Sequence, residues 1–579
     1  MTFLKKLSPI RFKGFKRAWP WVALALIGGL ALARWLSEPV PAAQARGNAI
    51  AGSVFDAQGR AVLDADVVLY VNGERDEPLA EDNTKEDGSF VLFLPVDETI
   101  ESAHIEINRH HFEPYAWDAA GQELADLRAS GSLILDPIAL ERSYNAAFWV
   151  ATGLFLGMLG LIALERLQNT LAALLAVALI FVVTFVGGAF SESLYIIDFE
   201  HALRHIDFEV IFLLMGMMIV IGIIEETGIF QWLAYQAYRL SRGRVWLMTI
   251  ILMLITAVVT ALLDNVTTML LITPITIEIA LALGINPLAL LFPALMASNV
   301  GGIATLIGTP TNILIGSYAG LGFTDFLGNL TPGVLLAEAA LIVFMLLWFR
   351  KDHKAAGAGA SPALLKRLEE NARIKDPLQL RKALIVMAGL LLLFIFGERL
   401  HLTPAVSAII GAVAMLLVVN PNIEEMLGVV DWTTLVFFMA LFMVVGAVEE
   451  VGLIGTIAGQ IRSMVGDNLG AAMMVFTWSS ALLSGVVDNI PFAAAMLPAA
   501  DYLTRSLPGS GNALFFALAV GTAMGGNVTL IASSPNLVVA GIAERAGFRI
   551  TFIEFLKIGL PVTLLTTALG SVWLLLHFL

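Results

Sequence analysis

Two Asp-Asn pairs, Asp264-Asn265 and Asp488-Asn489, sit in the middle of long apolar stretches. A carboxylate there is costly to bury. It marks ion, proton or substrate handling, unless it only caps a helix. Thr267 and Thr268 follow the first pair. Two runs of small and hydroxyl residues supply the remaining candidates: Asn299, Gly301, Gly302, Thr305, Thr309 and Asn312 in 297–312, and Gly525, Gly526, Asn527, Thr529, Ser533, Ser534 and Asn536 in 521–536. Glycine, proline and small hydroxyl residues in mid-membrane break a helix into halves. Freed carbonyls and Ser, Thr or Asn oxygens can then hold Na+, while half-helix N-termini face an anion. Asn265, Asn299, Asn489 and Asn527 are the candidate Na+ ligands, and no other cofactor is expected. Tight packing by small residues accounts for the glycines. It does not account for Asn299, Asn312, Asn527 and Asn536 together with Thr305 and Thr529.

The two sets are copies. Asp264 and Asp488 lie 224 residues apart, as do Asp207 and Asp431, Glu225 and Glu449, Gly228 and Gly452, Gly301 and Gly525, Thr305 and Thr529, and Asn312 and Asn536. Near Gly322 and Gly547 the offset slips by one. Arg239, Arg242 and Arg244 follow the 208–228 span, whereas the equivalent loop has Arg462 and Asp467. Positive loops stay in the cytoplasm, so this asymmetry predicts opposite orientations for the copies, the pattern of inverted-repeat transporters. Each Asp-Asn pair interrupts about 38 mostly apolar residues. As one helix these would reach ~57 Å, nearly twice a bilayer core, so each stretch must fold back as a re-entrant hairpin with the pair at its tip. Such a tip has to be buried in protein or line a cavity. Glu225-Glu226 and Glu449-Glu450 fall at span ends, where interfacial solvation is expected.

Composition agrees with a polytopic α-helical membrane protein: 579 residues, 58% hydrophobic, 14% charged and mean hydropathy +0.82. Spans are expected near 145–164, 171–190, 208–228, 332–349, 383–398, 401–419, 433–452 and 557–577, with complex regions at 245–318 and 470–543. Residues 1–17 are a basic cytoplasmic N-terminus. Residues 18–36 form a first span, read as an uncleaved anchor although Ala43-Gln44-Ala45 has the form of a signal-peptidase site. Residues 143–349 and 383–579 are the two membrane repeats, joined by a cytoplasmic linker at 350–382. The net charge of −14 is local: Arg46 to Arg142 holds 20 acidic and 7 basic residues. That segment, 46–140, reads as a small external β-sandwich with strands at Ala61–Leu63, Asp66–Val71 and Ser89–Phe93. Its acidity argues against nucleic-acid partners. His104, His110 and His111 lack a ligand spacing and read as solvated loop. The absence of cysteine removes disulfides and thiol chemistry.

The segments Leu263–Leu271, Asn299–Gly302 and Val487–Phe492, with Ala237–Trp246 and Gly541–Glu544, resemble the ion transporter superfamily. The likeness is closest to its melanosomal P protein, arsenite permease and Na+/H+ antiporter branch of citrate-transporter-like permeases, and it covers about 171–577. It implies a scaffold and a mobile transport domain per protomer, assembled as a homodimer, with the transport domain sliding as an elevator. P protein and antiporter relatives carry Asp where this chain has Thr309, which favours the carboxylate-uptake relatives. The expected function is a secondary-active transporter in an inner (plasma) membrane, with the β domain outside. It moves a small inorganic or organic ion, an anion or carboxylate, coupled to Na+ or H+. Alternatives are a Na+/H+ antiporter, an arsenite efflux permease or an anion channel. An enzyme is not expected: no P-loop is present, and the paired aspartates lack a Gly-x-Gly-Asp protease setting. A sensor built on the β domain is a further alternative.

Overall fold

The computed structural model describes residues 48–579 apart from 58, 74–76, 96–99, 120, 131, 165, 356–368 and 371–372. The expected first span at 18–36 and its cleavage-site alternative lie outside the described residues. The chain divides into two compact units. One comprises the described part of Met1–Phe55 with Ala61–Asn108 and Pro114–Ala139, and the other Asp56–Arg60, Arg109–Glu113 and Leu140–Leu579.

The first unit is built from β1 (Asn48–Asp56), β2 (Asp66–Val71), β3 (Ala80–Asn83), β4 (Ser89–Leu94), β5 (Ala103–Asn108), β6 (Tyr115–Asp118), α1 (Gly121–Ser130), β7 (Ser132–Ile134) and β8 (Ile138–Leu140). One sheet runs β4-β1-β7 with β8 on β1, and the other runs β3-β2-β5-β6. Alternation sets the buried faces: Val67 and Leu69 pair with Ile107 and Ile105, and all four are fully buried. The expected strand at Ala61–Leu63 is reduced to an isolated bridge from Ala61 to Phe55. Asp64 follows with φ +54°, which ends the extended run. His104 is on β5, with Nδ1 2.7 Å from Asp118 and Nε2 3.1 Å from Glu106. His111, in the second unit, is buried, and its Nε2 bonds the Ile196 carbonyl at 2.8 Å. Neither histidine belongs to a solvated loop. Burial pushes the His111 imidazole down to about 4, since desolvation disfavours the cation.

The second unit is helical. Its first part holds α2 (Ala146–Ala163), α3 (Asn169–Phe181, continued by a π-helical turn to Gly187), α4 (Phe199–Arg204), α5 (Phe208–Glu226), α6 (Ile229–Ser241), α7 (Val245–Leu262), α8 (Asn265–Ala282), α9 (Leu288–Gly301), α10 (Pro310–Ala319), α11 (Phe323–Trp348) and α12 (Arg350–Ala355). Then come α13 (Pro377–Phe396), α14 (Pro404–Val419), α15 (Ile423–Val429), α16 (Trp432–Glu450), α17 (Leu453–Val465), α18 (Leu469–Ser484), α19 (Asn489–Ser506), α20 (Ala513–Gly525), α21 (Ser534–Arg545) and α22 (Phe552–Phe578). Among the described residues nine helices are long and apolar enough to cross a membrane.

Three spans begin earlier than the apolar runs suggest. Helix α13 starts at Pro377 rather than near 383, because the Asp376 carboxylate accepts the Leu378 N–H at 2.8 Å. Helix α11 starts at Phe323 rather than near 332, because the Asp325 carboxylate accepts the Gly322 N–H at 2.9 Å and the helix continues through Pro332. Helix α22 starts at Phe552, where Thr551 and Glu554 form a capping box. A capped polar first turn is helix, though it is not apolar.

The duplication is visible in element boundaries. Helices α5 and α16 begin at 208 and 432, α6 and α17 at 229 and 453, α7 and α18 at 245 and 469, α8 and α19 at 265 and 489, and α10 and α21 at 310 and 534, each 224 residues apart. Gly228 and Gly452, with φ +80° and +90°, make the same left-handed turn between the first two helices of each set.

Candidate functional site

Both Asp-Asn pairs fall at breaks between helices, as the spacing predicts. Each aspartate caps the helix that follows. Asp264 accepts the Thr267 N–H at 2.8 Å and Asp488 the Ile490 N–H at 3.0 Å, answering donors that a helix start leaves free. Thr268 donates its hydroxyl to the Asp264 carbonyl at 2.7 Å.

The small-residue runs are the second pair of breaks. After Gly301 the chain makes one 3-10 turn, Gly302–Ala304, and restarts as α10, capped by Thr309, whose Oγ1 accepts the Asn312 N–H at 3.2 Å. A break frees carbonyls, and here one asparagine side chain satisfies them. Asn312 Nδ2 donates to Gly302 at 3.2 Å, Ile303 at 3.3 Å and Thr305 at 2.8 Å. At the equivalent position, Asn536 Nδ2 donates to Gly526 at 2.7 Å and Thr529 at 2.9 Å. The threonines tie each break to its Asp-Asn tip. Thr529 Oγ1 donates to the Gly485 carbonyl at 2.7 Å, and Thr305 Oγ1 makes the same bond to Ala261. Both donors and both acceptors are 224 residues apart, so duplicated sequence gives duplicated contacts. The glycines allow the approach. A Cβ on Gly301 would lie 2.6 Å from Ala257 Cα, and one on Gly525 2.6 Å from the Ala481 carbonyl oxygen.

The two halves meet through residues that break the duplication. Asn299 and Asn527 have Ala523 and Ile303 at their equivalent positions. Asn299 Nδ2 donates to Asn527 Oδ1 at 2.9 Å and to Asn536 Oδ1 at 3.2 Å, while its own Oδ1 accepts from Asn265 Nδ2 at 3.2 Å. Four buried asparagines thus run from the first tip to the second break. Three of their oxygens are occupied, Asn299 Oδ1, Asn527 Oδ1 and Asn536 Oδ1. Asn265 Oδ1 and Asn312 Oδ1 are buried with no partner among the described residues. Of the four expected Na+ ligands, therefore, Asn265 has its oxygen available, and Asn312 adds a second.

Other expected residues stand apart. Asp264 and Asp488 are not bonded to each other, and the asparagine chain, which starts at Asn265 beside the first, ends at the second break. Asn489 is buried, and its N–H donates to the Ala532 carbonyl at 3.2 Å, outside the network. Ser533 is the N-cap residue of α21 without a side-chain cap bond, and Ser534 is the first residue of that helix. Glu449 and Glu450 are not simply solvated: Arg60 lies 3.4 Å from Glu449, Arg109 and His205 lie 3.7 Å from Glu450, and Arg142 bonds the Glu450 carbonyl. The sequence reading missed Asn169, whose Nδ2 is 3.5 Å from Asp488 Oδ2, because it lies just before an apolar run. It also missed the Thr260–Ser298 hydroxyl pair at 2.8 Å, although both are hydroxyls within apolar segments.

Capped tips, clamped breaks and buried amides inside a bundle of apolar helices are the equipment of a membrane transporter rather than of an enzyme centre. The chain belongs to the citrate transporter family (CitMHS), whose pattern matches residues 159–521. An uncharacterized transporter of Mycobacterium tuberculosis is 37% identical over 436 residues, 74% of this chain and 98% of that protein. The P protein of Homo sapiens is 34% identical over 518 residues, 75% of this chain and 60% of that protein. The crystal structure of the Alcanivorax borkumensis YdaH transporter aligns with a TM-score of 0.48 at 16% identity, covering 70% of this chain and 98% of that one.

Proposed function

We propose that the protein is a secondary-active transporter of a small carboxylate or other small anion, coupled to Na+ or H+. The observation that carries this is the buried asparagine chain joining the first tip to the second break, together with two unpartnered oxygens, Asn265 Oδ1 on that chain and Asn312 Oδ1 at the first break. Unpaired buried acceptors are costly, and a cation answers them. Na+ would bind at Asn265 Oδ1 and Asn312 Oδ1. The anion would lie at the N-termini of α10 and α21, where free N–H groups and the helix dipole attract negative charge. Thr309, Ser533 and Ser534 begin those helices. Asp264 and Asp488 would carry the coupling proton or cation, each bound next to its own tip. The family's description makes citrate the first solute to try.

In this reading the 224-residue copies are inverted repeats. The two tips and two broken helices form a transport domain that slides as an elevator against a scaffold containing α5 and α16, within a homodimer in a bacterial-type inner membrane. The β unit lies on the outer side. Arginines after α6 and in 350–382 support that orientation. The test uses purified protein in proteoliposomes with imposed Na+ and pH gradients and labelled citrate, smaller carboxylates, arsenite and chloride. Gradient-driven accumulation of a carboxylate supports the reading. Na+ exchange for protons without solute, arsenite movement alone, or chloride conductance that tracks the chloride potential would each replace it.

A further inference from the structure

Helix α11 carries a carboxylate in its interior, Glu338, and is one of the helices long and apolar enough to cross a membrane. Its residue exposure is 4%, and neither Oε1 nor Oε2 has a hydrogen-bond partner among the described residues. The elements packed on α11 offer it no counter-charge. Helices α7, α9 and α20 contain no titratable side chain. Those of α12 (Arg350, Lys351, Asp352, His353, Lys354), α13 (Arg381, Lys382) and α22 (Glu554, Lys557, His577) belong to the end turns of their helices or to α12, beyond the end of α11. An ionised carboxylate in such a place costs several kcal/mol, so its charge must be answered from outside the side-chain inventory.

Its position is informative. Seven residues earlier on α11, Thr331 donates its hydroxyl to the Ala304 carbonyl in the first break at 3.4 Å. Seven residues make nearly two helical turns, so Glu338 lies on the same face, about 10 Å further along. It therefore faces the interior that holds the first break. The sequence offset of 225 that applies beyond Gly322 makes Thr563 its counterpart. That hydroxyl is buried too, but it is satisfied by the Met524 carbonyl at 3.1 Å. Both halves place a polar group behind the break, and only the first makes it an acid without a partner.

From this placement we infer that Glu338 is a proton-binding site of the membrane unit, holding its proton as a carboxylic acid and exchanging it with solvent admitted through the first break. The proton answers the charge that no side chain answers. That this proton is one the transport cycle carries rests on the transport reading above; that Glu338 holds a proton does not.

Difference infrared spectroscopy of the full chain in lipid vesicles at neutral pH tests it without knowledge of the solute. The wild type should show a carboxylic acid C=O band that moves in heavy water. Glu338→Gln should remove that band, Glu338→Asp should keep one at a shifted position, and Asp488→Asn should leave it in place. Absence of a Glu338-dependent acid band, or a band indifferent to heavy water, overturns the proposal. If Glu338→Gln fails to fold, the shift produced by Glu338→Asp decides. In vesicles where the wild type moves citrate, Glu338→Gln should flatten the dependence of initial rate on pH at least tenfold. A persistent acid band in a protein that moves no solute would sink the transport reading and leave this site standing.

Discussion

Replacing Asn299 with alanine removes three buried hydrogen bonds, to Asn265 at 3.2 Å, Asn527 at 2.9 Å and Asn536 at 3.2 Å. At about 1 kcal/mol net per bond the loss is ~3 kcal/mol, and orphaned partners push it higher. Asn527→Ala removes only the shared bond, because Asn527 Nδ2 has no partner among the described residues, so it should cost ~1 kcal/mol. The pair then forms a double-mutant cycle. The double variant should be less destabilised than the sum of the singles by roughly 0.5–3 kcal/mol, since the orphan left by one change is removed by the other. The assay is apparent melting temperature by intrinsic fluorescence in one detergent at one scan rate, with Asn286→Ala, an exposed cap of Leu288 at 3.0 Å, as an unconnected reference. Additivity within about 0.5 kcal/mol for Asn299 and Asn527 would mean that the two amides do not hold each other and that the bridge between the halves is wrong.

Three further outcomes follow from the same structure. Thr305→Val and Thr529→Val each remove the hydroxyl bond from break to tip, so each should lower thermal stability by a similar ~1 kcal/mol; a cost for one alone would break the equivalence of the halves. Gly301→Ala and Gly525→Ala drive a methyl to 2.6 Å from backbone atoms, whereas Gly328→Ala on α11 meets nothing within 4 Å. The first two should lose ~1–3 kcal/mol and the third should not, as read by melting temperature and detergent-stable yield. His111 titrates at about 4 in the fold and near 6.5 when unfolded, so unfolding takes up a proton between those pH values. Stability should fall by up to ~3 kcal/mol as pH drops through that window, and His111→Asn, which tolerates the φ of +68°, should remove that slope in melting curves measured against pH.

The sequence made the architecture readable because bilayer physics leaves few options. Apolar runs of span length, an overlong run with Asp264-Asn265 inside it and a constant 224-residue offset sufficed to place both tips, both breaks and their flanking helices. What it could not supply was who bonds whom. Asn312 is one polar residue among many in a list, but its Nδ2 clamps the carbonyls of its own break and leaves its Oδ1 unpartnered. Asp264 and Asp488 look like a converging pair, but each turns to its own helix start, because a free N-terminus is a closer and cheaper partner than a distant carboxylate. The bridge depends on Asn299 and Asn527, where the duplication fails, so comparison of the halves could not find it. Helix starts were misjudged where polar capped turns precede the apolar run, at Phe323, Pro377 and Phe552. Glu338 was visible as an acid in an apolar run, but only the packing shows that no partner reaches it.

The claim that the two tip carboxylates couple transport is tested most directly by reconstituted citrate flux under imposed Na+ and pH gradients for Asp264→Asn, Asp488→Asn and the double variant. Asparagine still caps a helix, so all three should fold and melt within about 1 kcal/mol of the wild type. Each should lose gradient-driven accumulation while keeping the ability to bind lipid and purify as the native assembly. Wild-type rates with unchanged Na+ and pH dependence in all three would show that Asp264 and Asp488 are helix caps and nothing more.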